Sequence, residues 1–208
     1  MLIVKPSVEI IDKLDNDAIL RKLELCGRNC YKSEGRITEN SASEFIRRLT
    51  LNKHESVMEH FSFTVRFICD RGVTHEIVRH RLASYSQEST RYCNYAKEDF
   101  GSEITVVKPF YLVEGSQAYR HWEIAMACAE VEYFNMLDDG CTAQEARAVL
   151  PNSLKTDLIM TANLREWRHF IIMRGSPAAH PQMKELIVLF RQELSKVLGP
   201  VLFDYLTR

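Results

Sequence analysis

Arg79, His80 and Arg81 stand together in this sequence, and Gln87, Glu88, Ser89, Thr90 and Arg91 follow a short way on. Arginine offers a planar, permanently charged fork that suits phosphates and polarised carbonyl oxygens. His80 can donate or accept a hydrogen bond, and Gln87, Glu88 and Ser89 can address the edge of a heterocycle. The same charges also suit a solvated basic face in which Glu76 and Glu88 act as partners.

Glycine is scarce. The chain has 8 glycines, and none of them forms GxGxxG or GxxxxGK[ST], so any phosphate must be held largely by side chains. The 6 cysteines make no CxxC pair. Cys26 and Cys30 have helical spacing but no second pair to complete a metal site, which leaves them as small apolar residues and no metal is expected. HESVMEH, from His54 to His60, is not HExxH, so it gives no zinc-hydrolase signature.

The elements that must position these residues read as one α/β domain of mixed order over residues 1–208. LIVKPSVEII is two extended pieces around a proline. Residues 15–32 carry Ile19, Leu20, Leu23, Cys26 and Cys30 at helical spacing. Ser41 and Glu44 form a capping-box signature for a helix with Phe45, Ile46 and Leu49 inward. FSFTVRFI alternates as a half-buried strand. Asp70 is placed to cap a helix through Val73, Ile77 and Val78 into Arg79–Arg81. The polar stretch 84–94 reads as a loop, and 103–108 as a strand. A long helix is expected over 116–138 with Trp122, Ala125, Ala129, Tyr133 and Leu137 in a stripe. Thr142 and Glu145 cap a short helix before Pro151. A β-like segment over 155–161, a helix over 163–174 and a closing helix over 181–198 follow.

With 208 residues, a formal charge of −1 and 46% hydrophobic residues, the chain has the composition of an ordinary globular domain. The balance gives no footprint for bulk nucleic-acid binding. No apolar stretch reaches bilayer length, and MLIVKPSVEII lacks the parts of a signal peptide, so a cytoplasmic protein with no membrane partner is expected.

RHR, seven residues, then S-x-R resembles the signature of the flavin-dependent thymidylate synthases. A chance match of these fixed positions is of order 10⁻⁴. The similarity continues in ELCGRNCYKS, HESVMEH, ARAVLP, NLREWRHFIIMR and AAHPQ, in order along most of the chain. The resemblance implies that family's fold, a mixed or antiparallel sheet flanked by helices. It also implies reductive methylation of dUMP to dTMP, with 5,10-methylenetetrahydrofolate as one-carbon donor. FAD, reduced by NADPH, would supply the hydride, and no enzyme cysteine would act as nucleophile. A homotetramer whose sites are shared between subunits goes with it.

By position, the resemblance makes Arg174 the cation at the pyrimidine edge, and Ser89 joins it in the catalytic set. Glu76, Ile77, Val78, Arg79, Gln87, Glu88, Ser89, Thr90, Arg91, Arg147 and Arg174 would bind dUMP. Ser56, Arg79, His80, Arg81, Gln87, Asn163, Leu164, Arg165 and His169 would bind the flavin. Cys93, beside the motif, reads as a packing residue rather than a nucleophile.

Two other readings use the same residues. A nucleotide- or RNA-binding module would use Arg79, Arg81 and Arg91 with Tyr85, Tyr92 and Tyr95 as stacking platforms. A flavoprotein acting on another uracil-like compound would share the arginine set.

Overall fold

The alternating FSFTVRFI segment and the β-like segment over 155–161 become the two longest strands of the computed structural model, which describes residues 1–97 and 101–208. In chain order the elements are β1 (Leu2–Val4), β2 (Ser7–Ile10), α1 (Asn16–Asn29), α2 (Ser41–Leu51), β3 (Ser62–Asp70), α3 (Arg71–Ile77), β4 (Ala83–Gln87) and β5 (Thr105–Val107). They continue with α4 (Gln117–Asp138), α5 (Ala143–Ala146), β6 (Lys155–Asn163), α6 (Leu164–Arg174), α7 (Pro181–Val197) and α8 (Pro200–Thr207). Short 3-10 turns cover Glu34–Arg36, Glu55–His60 and Arg147–Val149. The result is the mixed α/β class expected from the sequence. β1 and β5 pair in parallel, Leu2 opposite Thr105, and a four-stranded sheet has the order β2-β3-β6-β4.

The chain divides into two compact units. One comprises Met1–Ser7, Phe67–Arg79 and Ser86–Leu158; the other comprises Val8–Arg66, His80–Tyr85 and Ile159–Arg208. The first has its core in Tyr95, Ile104, Val106, Met126, Tyr133, Ala146 and Leu154. The second is built around Trp167, whose ring stacks on Phe63 at 5.1 Å and meets Phe190 at 5.0 Å. The Trp167 indole N–H donates to the Phe63 carbonyl at 3.2 Å, so this large side chain is buried without an orphaned donor.

Capping explains several boundaries. Asp15 accepts from the N–H groups of Asp17 and Ala18, Asp70 from Val73, Ser116 from Tyr119 and Asn163 from Glu166. The Glu145 carboxylate takes both the N–H and the hydroxyl of Thr142.

Five local expectations are corrected. Ser41 is the first residue of α2 rather than its cap; its hydroxyl donates to the buried Glu24 carboxylate and accepts from the Thr38 N–H. α3 stops at Ile77, so Arg79–Arg81 lie beyond the helix. The stretch beginning at Ser84 is not all loop, because Ala83–Gln87 is a strand. On α4, Met126 is buried where Ala125 was expected to be. The chain does not close with α7: Gly199 leads into α8, with Pro200 in its first turn, which buries Leu202, Tyr205 and Leu206.

Candidate functional site

The residues expected to bind the nucleotide fall in the first unit, apart from Arg174. There Gln87 ends β4 and donates its amide N–H to the hydroxyls of Thr74 and Thr156, at 3.1 and 3.3 Å. Glu88 is fixed at four points. Its N–H donates to the Asp157 carbonyl, its own carbonyl accepts from Arg71, and its carboxylate accepts from Tyr95 at 2.9 Å and Lys155 at 2.8 Å. That engagement commits the Glu88 side chain to holding the loop. The next residues turn sharply: the Ser89 carbonyl accepts from the N–H groups of Tyr92 and Cys93.

This turn sets Ser89–Arg91 against the segment running from α5 into the following 3-10 turn. The Arg91 guanidinium reaches Gln144 at 3.5 Å, and that of Arg147 reaches the buried Thr90 hydroxyl at 3.5 Å. Arg91 and Arg147 are both exposed, so two fixed cations face water beside the Ser89 hydroxyl. Such a pair can bind a phosphate without a glycine-rich cradle. Ile77 is buried in α3, Glu76 is half-buried, and Val78 and Arg79 are exposed after it.

Cys93 lies beside this loop. Its thiol is pushed above the ordinary 9.0, first by burial and then by the Glu88 charge, while the Ser89 N–H and Lys155 act the other way. It therefore stays protonated near neutrality.

The second unit holds the residues expected at the flavin, apart from Arg79 and Gln87. Ser56 is exposed in the 3-10 turn Glu55–His60. Arg165 donates to Glu59 at 2.6 Å and lies 3.7 Å from Glu55, which also pairs with Arg168. Asn163 uses its carbonyl oxygen to cap α6, and Leu164 is buried with its N–H on the Phe61 carbonyl. Arg81 and His169 are exposed.

His80 is a polar member of this set that is buried, 3% exposed. Its Nδ1 lies 2.9 Å from Glu166 Oε1, and its Nε2 lies 3.0 Å from Arg174 Nε. An arginine N–H can only donate, so Nε2 must accept and the ring proton must sit on Nδ1, facing the carboxylate. Burial holds the imidazole below its ordinary 6.5, with Arg174 and His169 adding and Glu166 opposing. Donor atoms of His80, Glu166 and His169 lie within 4.8 Å of one another, a spacing open to a metal ion. The Arg174 guanidinium already on Nε2 makes it a poor one, since a fixed cation repels the ion.

The tyrosines expected of a stacking surface are mostly committed elsewhere. Tyr95 is buried with its hydroxyl on Glu88, and Tyr85 is half-buried with its hydroxyl on the His80 carbonyl at 2.6 Å. Tyr92 is exposed, with the Arg91 guanidinium 5.5 Å from its ring.

Lys155, Thr74 and Glu166 were not singled out from the sequence. A lone lysine or glutamate in a strand or helix carries no local mark of a partner 67 or 86 positions away. His180, also without a clear role in the sequence, caps α7 through Nδ1.

Known proteins resemble this chain along most of its length. Residues 9–199 match the family described as Thymidylate synthase complementing protein, Thy1. The flavin-dependent thymidylate synthase of Geobacter sulfurreducens is 35% identical over 187 residues, covering 86% of this chain and 78% of that protein. The enzyme of the same name from Pyrococcus furiosus is 35% identical over 162 residues; the match covers 77% of this chain and 66%, just under two thirds, of that protein. One from Mycolicibacterium gilvum is 31% identical and covers 96% of this chain and 84% of that protein. Among solved structures, the UMP/dUMP methylase PolB of Streptomyces cacaoi bound with 5-Br dUMP superposes with a TM-score of 0.78. It covers 99% of this chain and 96% of that one at 24% identity, a likeness of fold. Among the described residues, no helix is long and apolar enough to cross a membrane.

Proposed function

The chain belongs to the Thy1 family of flavin-dependent thymidylate synthases, and on that premise we propose that it converts dUMP to dTMP as one synthase domain. The carbon donor in this reading is 5,10-methylenetetrahydrofolate, and NADPH reduces an FAD cofactor. The observation that carries it is the pair of exposed guanidiniums, Arg91 on the turn after Ser89 and reaching Gln144, and Arg147 on the facing segment and reaching Thr90. They supply the charge that a nucleotide phosphate needs in a chain without a phosphate-binding glycine loop.

Uracil C5 is a poor nucleophile until the ring is polarised. Arg174 stabilises negative charge as it grows on the pyrimidine, and Ser89, Gln87 and Arg91 orient the nucleotide. Arg79 and the turn after Ile77 complete the nucleotide side. The protonated Cys93 thiol fits a route with no thiolate attack.

The donor set of the second unit suits a flavin with a diphosphate. Arg81 and Arg165 offer cations, Ser56 a hydroxyl, and His169 a ring nitrogen where the family often has asparagine. Asn163 and Leu164 shape the start of α6 beneath them. A bound, reduced flavin is the hydride source of the reaction. Subunits of a homotetramer would share these groups.

The visible spectrum of the purified protein with FAD, then with dUMP, tests this reading. A bound oxidised-flavin spectrum that shifts with dUMP, together with dTMP formed from methylenetetrahydrofolate and NADPH, is expected. No flavin retained with FAD in excess would overturn it and favour a nucleotide-binding module. Flavin retention with turnover of another pyrimidine and none of dUMP would reassign the substrate. Light scattering on the same sample reads the tetramer.

A further inference from the structure

Glu166, Phe170 and Arg174 share one face of α6, with Glu166 and Arg174 eight positions apart, a backbone rise of about 12 Å. The His80 imidazole lies between the two side chains. Its ring stands edge-on to Phe170, with centroids 5.0 Å apart, Glu166 on one nitrogen and Arg174 on the other. Tyr85 pins the backbone there by donating to the His80 carbonyl at 2.6 Å.

We propose that Glu166 and His80 are positioning residues for Arg174: Glu166 locks the imidazole as the Nδ1–H tautomer, and the bare Nε2 then fixes the orientation of the guanidinium. The inference rests on the role given above to Arg174 at the pyrimidine. The hydrogen bond from the Arg174 Nε–H to His80 restricts the rotamers of a long side chain at the end of a helix. Tying Nε–H in the plane of the guanidinium fixes where the rest of the fork points, which is what a group stabilising developing charge requires.

The carboxylate matters for a specific reason. A glutamine at 166 could turn its amide nitrogen toward Nδ1 and favour the Nε2–H tautomer. Two N–H groups would then meet at the Arg174 junction, and the guanidinium would swing away. The imidazole of the RHR triplet, which the resemblance gives to the flavin, is on this reading spent inside the protein, while its arginine neighbours remain exposed.

The test combines tautomer spectroscopy with a double-mutant cycle on the flavin-loaded protein. In the unsubstituted protein, nitrogen-15 histidine spectra should show His80 protonated at Nδ1 and bare at Nε2. Glu166→Gln should lower kcat about tenfold or more and weaken dUMP binding, with flavin content held within about twofold. In an Arg174→Ala background the same change should cost nothing further, because the effect travels through Arg174.

A His80 ring protonated at Nε2, or costs of Glu166→Gln and Arg174→Ala that simply multiply, would overturn the proposal. The tautomer measurement needs no variant, so it decides even if Glu166→Gln fails to fold. Failure of the underlying reading looks different: Arg174→Ala would turn over normally, or no dUMP-dependent turnover would exist, whatever the tautomer.

Discussion

Lys155 Nζ lies 2.8 Å from Glu88 Oε2, while the Tyr95 hydroxyl donates to Oε1 at 2.9 Å, so a lysine at the start of β6 and a buried tyrosine together hold the first residue after β4. The Glu88 side chain is 16% exposed and that of Lys155 27%. Removing the ammonium leaves a largely buried carboxylate with one neutral donor. Burial, and then Glu88 itself, raise the Tyr95 phenol, which therefore remains a donor. Lys155→Met should cost about 1–3 kcal/mol in thermal or urea unfolding and weaken dUMP binding by loosening Ser89–Arg91. Adding Glu88→Gln should recover most of the stability. Equal losses in the single and double variants would mean that the pair does not act as a unit.

The His80 link makes a prediction about acid. The ring is held neutral by burial first, by the Arg174 charge and by His169, against the pull of Glu166, while the Tyr85 hydroxyl donates to its backbone carbonyl. Because its folded value lies below the ordinary 6.5, the neutral ring's contribution to stability is fully present above 6.5 and is lost as pH falls toward that lower value. Protonation then puts a proton on Nε2 and breaks the Arg174 hydrogen bond. Turnover and melting temperature should stay level from neutral pH down to 6.5 and decline only below it. An acid limb centred at 6.5 or higher would assign the titration to another group.

Much of this was legible because burial follows a period that sequence shows. β3 alternates, α7 carries a clear apolar face, and Asp70, Asn163 and Ser116 are oxygen-bearing caps at helix starts. β4 was not legible, since its inward side chains, Tyr85 and Gln87, are settled by hydrogen bonds rather than by apolar contact. Ser41 misled because the capping-box spacing was present while its hydroxyl had a better partner in Glu24, 17 positions earlier. α8 was missed although Pro200 in its first turn is a start signal. The arginines of the site stood out by type and spacing. Glu166, which holds His80, and Lys155, which holds Glu88, did not, because those contacts exist only once the chain has folded.

Cys93 sits beside the proposed nucleotide loop and invites assignment as a nucleophile. Burial and the nearby Glu88 charge hold its thiol protonated at neutral pH, opposite to what thiolate attack needs. Cys93→Ala should therefore retain dTMP formation within about twofold, at a stability cost of about 1 kcal/mol for a half-buried side chain. Steady-state turnover with a melting curve checks both. A loss of about a thousandfold with dUMP still bound is the outcome that would restore a covalent role.

The last prediction concerns a charge pair far from any catalytic role. Glu24 is fully buried in α1, and one carboxylate oxygen takes both Nε and an Nη of Arg28, at 2.7 and 2.6 Å, while the other accepts from Ser41 at 2.9 Å. The Arg28 guanidinium also lies 4.5 Å from the Phe45 ring. α1 comes so close to α2 here that a Cβ on Gly27 would stand 2.8 Å from Phe45 Cε1, leaving little room for water to reach an exposed charge. Breaking one half of such a pair strands the other. Glu24→Leu alone should destabilise the fold by about 3–5 kcal/mol in urea unfolding, and Arg28→Met alone should also be costly. The double replacement should cost less than either single change, because two apolar side chains in that gap need no solvation. Costs that add across the two positions would show that each residue stabilises α1 independently rather than as a buried ion pair.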